Sequence, residues 1–324
     1  MTVSKTGLEM IKMSDAGYNV CYRLRLSSGF ITPFQSDTLM GSLAWQMLYH
    51  FGESKLRTWI EACRHQPPFV LSNAFPLDKL PKLMAPPASN QPQPTSKLEQ
   101  LQVVRRGKKY KERVWLTPTE FNDMKHGRPV QWEEKESPKF VHTHSRLHAI
   151  IDRATGQSLQ ENGLYEIEES YVEYVSLYVR YFDPTYEPIV EQLLGSLGKT
   201  GFGAKKSSGK GLFSVEKDPD AVKVLATPEG ANGYAILSQV VPAATDETEG
   251  YYKFVTKYGK IGEHHTESPF KYPHVTLQPG SCFYSDRMPA YSGRLVEGIA
   301  PRHPNVVQFG FGLTVPIVLP EKEE

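Results

Sequence analysis

The sequence predicts an α+β chain of two domains: a ferredoxin-like (RRM-like) domain over 1–217 with an inserted basic loop at about 85–140, then a β-rich domain over 218–324. Three observations predict it. Residues up to Lys217 run strand, helix, strand, insertion, strand, helix, glycine-rich loop, strand, which is the βαββαβ order. The remainder has poor helical periodicity and many short strand candidates. The 324 residues suit two domains at ~150 residues each.

Tyr18–Leu26 (YNVCYRLRL) alternates Val20, Tyr22, Leu24 and Leu26 against Asn19, Cys21, Arg23 and Arg25, the period of a half-buried strand. After a turn at Ser28-Gly29 and an extended stretch at Pro33, Ser36 or Asp37 serves as the N-cap of a helix through about Phe51. Leu39, Leu43, Met47 and Phe51 form its apolar stripe, and Gly52 is its C-cap. A second short helix covers Lys55–Arg64 and a short strand Phe69–Leu71. Ala85–Thr95 (APPASNQPQPT) reads as a linker or exposed insertion. Val114–Leu116 suits a strand, Pro118–Phe121 a brief helix and Gly127–Lys139 a loop, so about 85–140 is expected to lie outside the core. Leu147–Asp152 is a strand, and Gly163–Phe182 is two strands or a long hairpin. Pro188–Leu197 is a helix and Gly211–Lys217 a strand. Beyond it, strands are expected at Tyr234–Val241, Tyr251–Tyr258, His274–Leu277, Ser281–Tyr284, Gly293–Gly298 and Val306–Val318.

Composition removes several classes. Cys21, Cys63 and Cys282 have no CxxC spacing, which argues against a disulfide framework or cysteine-rich zinc site and fits a reducing compartment. The N-terminus MTVSKTGLEM lacks the apolar core of a secretory signal, and no apolar run is long enough to span a membrane. A net charge of +1 excludes a binder that is basic all over. Charge is nevertheless uneven: residues 218–324 carry 9 basic against 13 acidic side chains, and 1–217 carry 28 against 23. The positive charge gathers in two places. Val104–Arg113 (VRRGKKYKER) has six basic residues, among them Arg105, Arg106, Lys108 and Lys109. Lys199–Gly211 (KTGFGAKKSSGKG) has four lysines, four glycines and no acid.

The second segment carries the sharper chemistry. Gly198-Lys199-Thr200 looks like the end of a P-loop, but the required first glycine is Leu193, and a helix precedes the loop where a strand is needed. ATPase and dinucleotide readings are therefore set aside, and no cofactor is expected. What survives is a cationic loop rich in backbone N–H groups, suited to RNA phosphates. Its expected contacts are Lys199, Thr200, Gly201, Phe202, Gly203, Lys205, Lys206, Ser207, Ser208, Gly209 and Lys210.

These residues resemble the RAMP proteins of CRISPR systems, which carry a glycine-rich loop between the last helix and last strand of a ferredoxin-like domain. Within them, Ser36–Leu43 (SDTLMGSL), Phe69–Pro76 (FVLSNAFP), Ile151–Gly156 (IDRATG), Thr200–Phe213 (TGFGAKKSSGKGLF) and the closing Gly293–Val318 are similar to the subunit-four family of the type III-A Csm effector complex. The resemblance spans nearly the whole chain apart from the insertion. It implies that both domains are ferredoxin-like, the second degenerate. It implies a cytoplasmic prokaryotic antiviral subunit, itself not the nuclease, that holds the repeat-derived 5′ tag of the CRISPR RNA. Its partners would be the large polymerase-like subunit, the adjacent backbone RAMP subunit and target RNA near the tag end. It further implies a protruding hairpin that wedges the guide–target duplex, and the basic insertion, with Tyr110 and Trp115 among its charges, is the expected location.

Asp37 reads as a cap or first-turn acid, with a role in RNA cleavage as the alternative. His142, His144 and His148, and the pair His264-His265, lack the company of a zinc site, and no metal is expected. Arg146 and His148 are expected to join Asp152 and Arg153 in a loop near the RNA path, and Ser36 at a helix N-terminus facing it. Two enzymatic alternatives stay open: a guide-processing endoribonuclease using a histidine, and a backbone subunit cutting target RNA with Asp37.

Overall fold

The computed structural model describes residues 17–88, 96–130, 141–158, 163–262 and 268–321. Strand β1 (Tyr18–Leu26) leads to helix α1 (Ser36–His65), which continues past the expected stop at Phe51. Gly52 there adopts φ 79°, ψ 173°, so the span is two helices meeting at a break, close to the predicted pair. Its N-cap is Gln35, not Ser36 or Asp37, and Gln35 offers no side-chain cap. The free amides are met otherwise: Ser36 N donates to Asn73 Oδ1 at 2.9 Å and Thr38 N to Asp37 Oδ1 at 2.8 Å.

Strand β2 (Phe69–Pro76) is followed by β3 (Leu80–Pro81), helix α2 (Lys97–Glu112), β4 (Trp115–Leu116) and α3 (Pro118–Lys125). The region about 85–140 therefore differs from the expected peripheral loop. Its basic segment is helical, and Leu116, Phe121 and Met124 sit in the main core. Thr117 and Glu120 form a reciprocal capping box with Pro118 in the first turn, which fixes where α3 starts. Then come β5 (His142–Ala149), β6 (Leu164–Tyr171), β7 (Tyr174–Tyr181), α4 (Tyr186–Thr200) and β8 (Phe213–Lys217). Strands β5 and β6 form a separate antiparallel hairpin with register His142↔Tyr171 to Ala149↔Leu164.

The first sheet has order β2-β7-β1-β8, with all pairs antiparallel. Helices α1 and α4 cover one face, where Tyr22, Leu24, Leu177, Val179 and Tyr181 meet Leu43, Met47, Val190 and Leu194 in one core. An antiparallel sheet can leave its other face to water. Here it does not: Ser176, Tyr178 and Arg180 on the opposite face of β7 are also buried. The second half supplies the cover. Arg180 Nη1 donates to Ala290 O at 2.6 Å and to Thr314 Oγ1 at 3.4 Å.

The second half contains β9 (Gly233–Ile236), β10 (Gly250–Tyr251), β11 (Phe254–Lys257), β12 (His274–Leu277), β13 (Cys282–Tyr284), β14 (Tyr291–Ser292), β15 (Leu295–Val296), β16 (Gln308–Phe309) and β17 (Gly312–Ile317). Its sheet runs β10-β13-β9-β17-β14, antiparallel throughout, while β11–β12 and β15–β16 pair separately. Among the described residues this half holds no α-helix. Counting β9, β10, β13 and β17 as first to fourth, the order is 2-3-1-4, the same as β2-β7-β1-β8 in the first sheet. A bulge in β2 between Leu71 and Ala74 stitches the halves together. It presents Asn73 Oδ1 to both Ser36 N and Gln239 N, while Ser238 Oγ donates to Leu71 O at 2.6 Å. All three cysteines are buried and unpaired, and burial pushes the Cys21 and Cys63 thiols up to about 12 and Cys282 up to about 11.

Candidate nucleic-acid interface

The glycine-rich segment is a loop between α4 and β8. Its neck closes where Phe202 N donates to Gly211 O at 2.9 Å and Gly211 N to Gly29 O at 2.9 Å. Gly211 sits at φ 70°, and a Cβ there would lie 2.2 Å from Phe202 O, so the neck closes only around glycine. Phe202 is wholly buried and stacks on Phe34 with centroids 4.5 Å apart. It anchors the loop in the core, which corrects its expected RNA contact. Ala204 N donates to Thr32 Oγ1 at 2.9 Å, tying the loop's shoulder to the segment before α1. The crown is a 3₁₀ turn, Lys206–Ser208, entered through Lys205 in left-handed conformation (φ 60°). Ala204, Lys205, Ser207, Ser208 and Gly209 are exposed there, Lys206 is half-buried, and Lys199 and Thr200 are exposed in the last turn of α4.

The β5–β6 hairpin meets this loop. Its root is pinned by the Phe30–Ser170 bridge, and Tyr171 packs directly against Gly29. Register places His142, His144, Arg146 and His148 opposite Tyr171, Glu169, Ile167 and Tyr165, all on one face. The loop lies along that face. Lys210 Nζ donates to Glu169 Oε2 at 2.8 Å, Tyr171 OH donates to the same oxygen at 2.5 Å, and Lys205 Nζ stands 5.5 Å over the Tyr165 ring. The Lys210 and Tyr171 hydrogen bonds hold the Glu169 carboxyl below the usual carboxylate range. His148 stacks on Tyr165, and its Nε2 is buried with no hydrogen-bond partner. A shallow cavity of about 320 Å³ is lined by His144, Ser145, Arg146 and Tyr171. Exposed cations beside aromatic faces suit a single-stranded nucleic acid, with phosphates on lysines and bases on rings.

The predicted residues divide accordingly. The structure brings Lys205, Lys206, Ser207, Ser208, Gly209, Arg146 and His148 to one surface, though Arg146 and His148 lie on a strand and not in a loop. Lys210 is already paired with Glu169 and serves as a clamp. Arg153 is exposed in the turn at the far tip of the hairpin, held by Ala154 N donating to Asp152 Oδ1. Ser36 is buried, its hydroxyl accepting from Gln239 N at 2.9 Å, so it stitches the halves and faces no RNA. Arg105 and Lys108 are exposed on α2, while the side chains of Arg106 and Lys109 lie outside those described, as do His264 and His265. Tyr110 turns inward, its hydroxyl donating to Leu83 O, and Trp115 packs edge-on to Phe75, so neither ring is a free platform. The basic segment is helix α2, whereas β5–β6 is an antiparallel hairpin outside the two main sheets. Tyr165, Glu169 and Tyr171 were missed by sequence reasoning; their alternation along LYEIEESY was the available signal.

Asp37 is the acid of the first turn of α1, as one of its two expected roles had it, but it is buried and is not the N-cap. Lys257 Nζ reaches its Oδ2 at 2.6 Å and Oδ1 at 2.8 Å, in a buried ion pair that links the two halves. Among the described residues no three His, Cys, Asp or Glu side chains converge as a metal site would need. No helix among them is long and apolar enough to cross a membrane.

No family model matches the chain, and no curated protein matches it. Solved structures do. A chain in a crystal structure of a Csm1-Csm4 cassette in complex with cA4 aligns over 94% of this chain and 100% of its own, with TM-score 0.62 and 15% identity. A chain in the Csm3-Csm4 subcomplex of the type III-A CRISPR-Cas interference complex aligns over 92% and 99%, with TM-score 0.59 and 16% identity. The fold is thus one shared with chains of type III-A CRISPR Csm complexes. Csm4 is the component that the two complexes share, and the fold is Csm4-like.

Proposed function

We propose that this chain is a non-catalytic RNA-binding subunit of a type III-A CRISPR interference complex, holding the 5′ repeat-derived tag of the guide RNA on the glycine loop and the inner face of the β5–β6 hairpin. The observation that carries this reading is the cationic crown around Lys205–Gly209, clamped by Lys210–Glu169 against a face lined with Tyr165, Tyr171, His148 and Arg146. A Csm1-type large subunit and a Csm3-type backbone subunit are its protein partners, and the β5–β6 hairpin is the wedge that meets target RNA near the tag. The repeated 2-3-1-4 strand order supports two ferredoxin-like domains, 1–217 and 218–324, the second with no α-helix among its described residues. The ion pair of Asp37 with Lys257 supports a non-catalytic role, because it occupies the carboxylate that a cleavage mechanism would use. With this site the protein acts in the prokaryotic cytoplasm.

The test is RNA binding by the full chain across a salt series. The variant K199A/K205A/K206A should weaken binding and flatten the log–log salt slope by ~0.7 for each phosphate no longer neutralised. Unchanged affinity and slope would refute the reading. Cleavage of repeat RNA in EDTA by the purified chain would instead establish the processing nuclease.

A further inference from the structure

The second half carries an arm with similar chemistry. Strands β11 and β12 pair from Phe254↔Leu277 to Lys257↔His274, and the ladder continues through Lys271 N to Gly259 O and the Lys260–Phe270 bridge. Alternation sorts its side chains. Lys257 and Lys271 point inward, to Asp37 and to Gln308 Oε1. Phe254, Tyr258, Phe270 and Tyr272 point outward, 51%, 76%, 57% and 52% exposed. Tyr252 stands edge-on to Phe254, and Lys260 Nζ lies 5.1 Å over the Phe270 ring. So many large rings on one exposed face mark a binding surface. Residues 252–262 and 268–275 are rich in lysine and, apart from Glu263 and Glu267 between them and outside the described residues, hold no Asp or Glu; this is within a half that is acidic in sum. Protein-docking surfaces are poor in lysine, whereas rings interleaved with lysines are what single strands bind.

We propose that the outer face of this arm is a second platform for single-stranded RNA, with bases stacking on Tyr258, Tyr272 and their neighbours and a phosphate on Lys260. The proposal rests on the proposed function in that the strand is the one held at the glycine loop. The two platforms flank one short segment. Thr32 and Phe34 hold the loop, and Asp37, three residues on, holds the root of the arm.

The experiment compares the full chain's affinity for unstructured single-stranded RNAs of about 8 and about 20 nucleotides. The exposed rings of Y258A/Y272A can be removed without opening the core, and an unchanged melting temperature checks this. The longer RNA should lose roughly tenfold in affinity, and the shorter one, which the glycine loop alone can hold, should lose little. Y258F/Y272F should retain binding, because stacking needs only the ring. If the alanine variant misfolds, K260A gives the same test, with the salt slope for the longer RNA falling by ~0.7 for the phosphate lost. An unchanged affinity for the longer RNA overturns the proposal. So does unchanged RNA affinity with loss of a co-purifying protein, which would make the arm a protein-docking face. The glycine-loop variant separates the two claims: if it binds normally while Y258A/Y272A does not, the loop reading falls and the arm stands.

Discussion

Glu169 is a carboxylate with almost no access to solvent, and two donors make its burial tolerable. Lys210 supplies charge and Tyr171 a second hydrogen bond. Because the folded-state pKa is lowered, its contribution is complete above the ordinary value of roughly 4.3 and is lost as pH falls through the lowered one. Protection of the Ser208 and Gly209 amides, taken relative to the intrinsic exchange rate at each pH, should therefore be high near neutrality and fall in acid. In Glu169→Gln the same amides should be poorly protected at every pH, and the variant should lose about 1.5–3 kcal/mol of stability by urea unfolding. Lys210→Met should behave similarly. Arg180 is a different case: it is buried, among the described residues no carboxylate pairs with it, and burial draws its pKa down to about 10. Its donors go to Asn19, Thr314 and Ala290 O. It works as a hydrogen-bond bridge between the sheets, not as half of an ion pair.

At the scale of elements, the glycine loop depends on its buried anchor. Phe202→Ala should cost about 3–5 kcal/mol, as a large-to-small core change does, and should weaken RNA binding more than any single exposed lysine. Filter-binding and thermal melts on one preparation check both. Much of this element was legible in the sequence: the glycine density, the helix before it and the strand after it all stand where expected. The hairpin face was not, because its chemistry arises across a register. His148 meets Tyr165 and Lys210 meets Glu169 only once β5 pairs with β6 and the loop folds over them. The basic insertion shows the opposite: it is helical where a loop was expected, with Arg105 and Lys108 exposed. Its charges and aromatics look like a nucleic-acid motif along the chain, but the helix turns Tyr110 toward Leu83 and Ala85. The helix break at Gly52 was legible because it needs a single residue type at a single position.

At the scale of the molecule, Asp37 and Lys257 join elements 220 residues apart, with side chains 5% and 19% exposed. Lys257→Met should destabilise the chain by about 3–5 kcal/mol, because it leaves a buried carboxylate unpaired. Asp37→Leu combined with Lys257→Met should recover most of that loss, read by a double-mutant cycle of denaturant midpoints. The shared core, running from α1 through β7 to β17, also predicts one unfolding transition and not two, which calorimetry would report. Joining the halves so firmly sets a distance. With the glycine loop fastened before Asp37 and the arm fastened to it, the gap between the two platforms is a constant of the fold. A strand that touches both must bridge that gap with a set number of nucleotides, whatever their sequence. The protein would then count as well as hold: an RNA trimmed short would reach one platform only, and one of the right length would reach both.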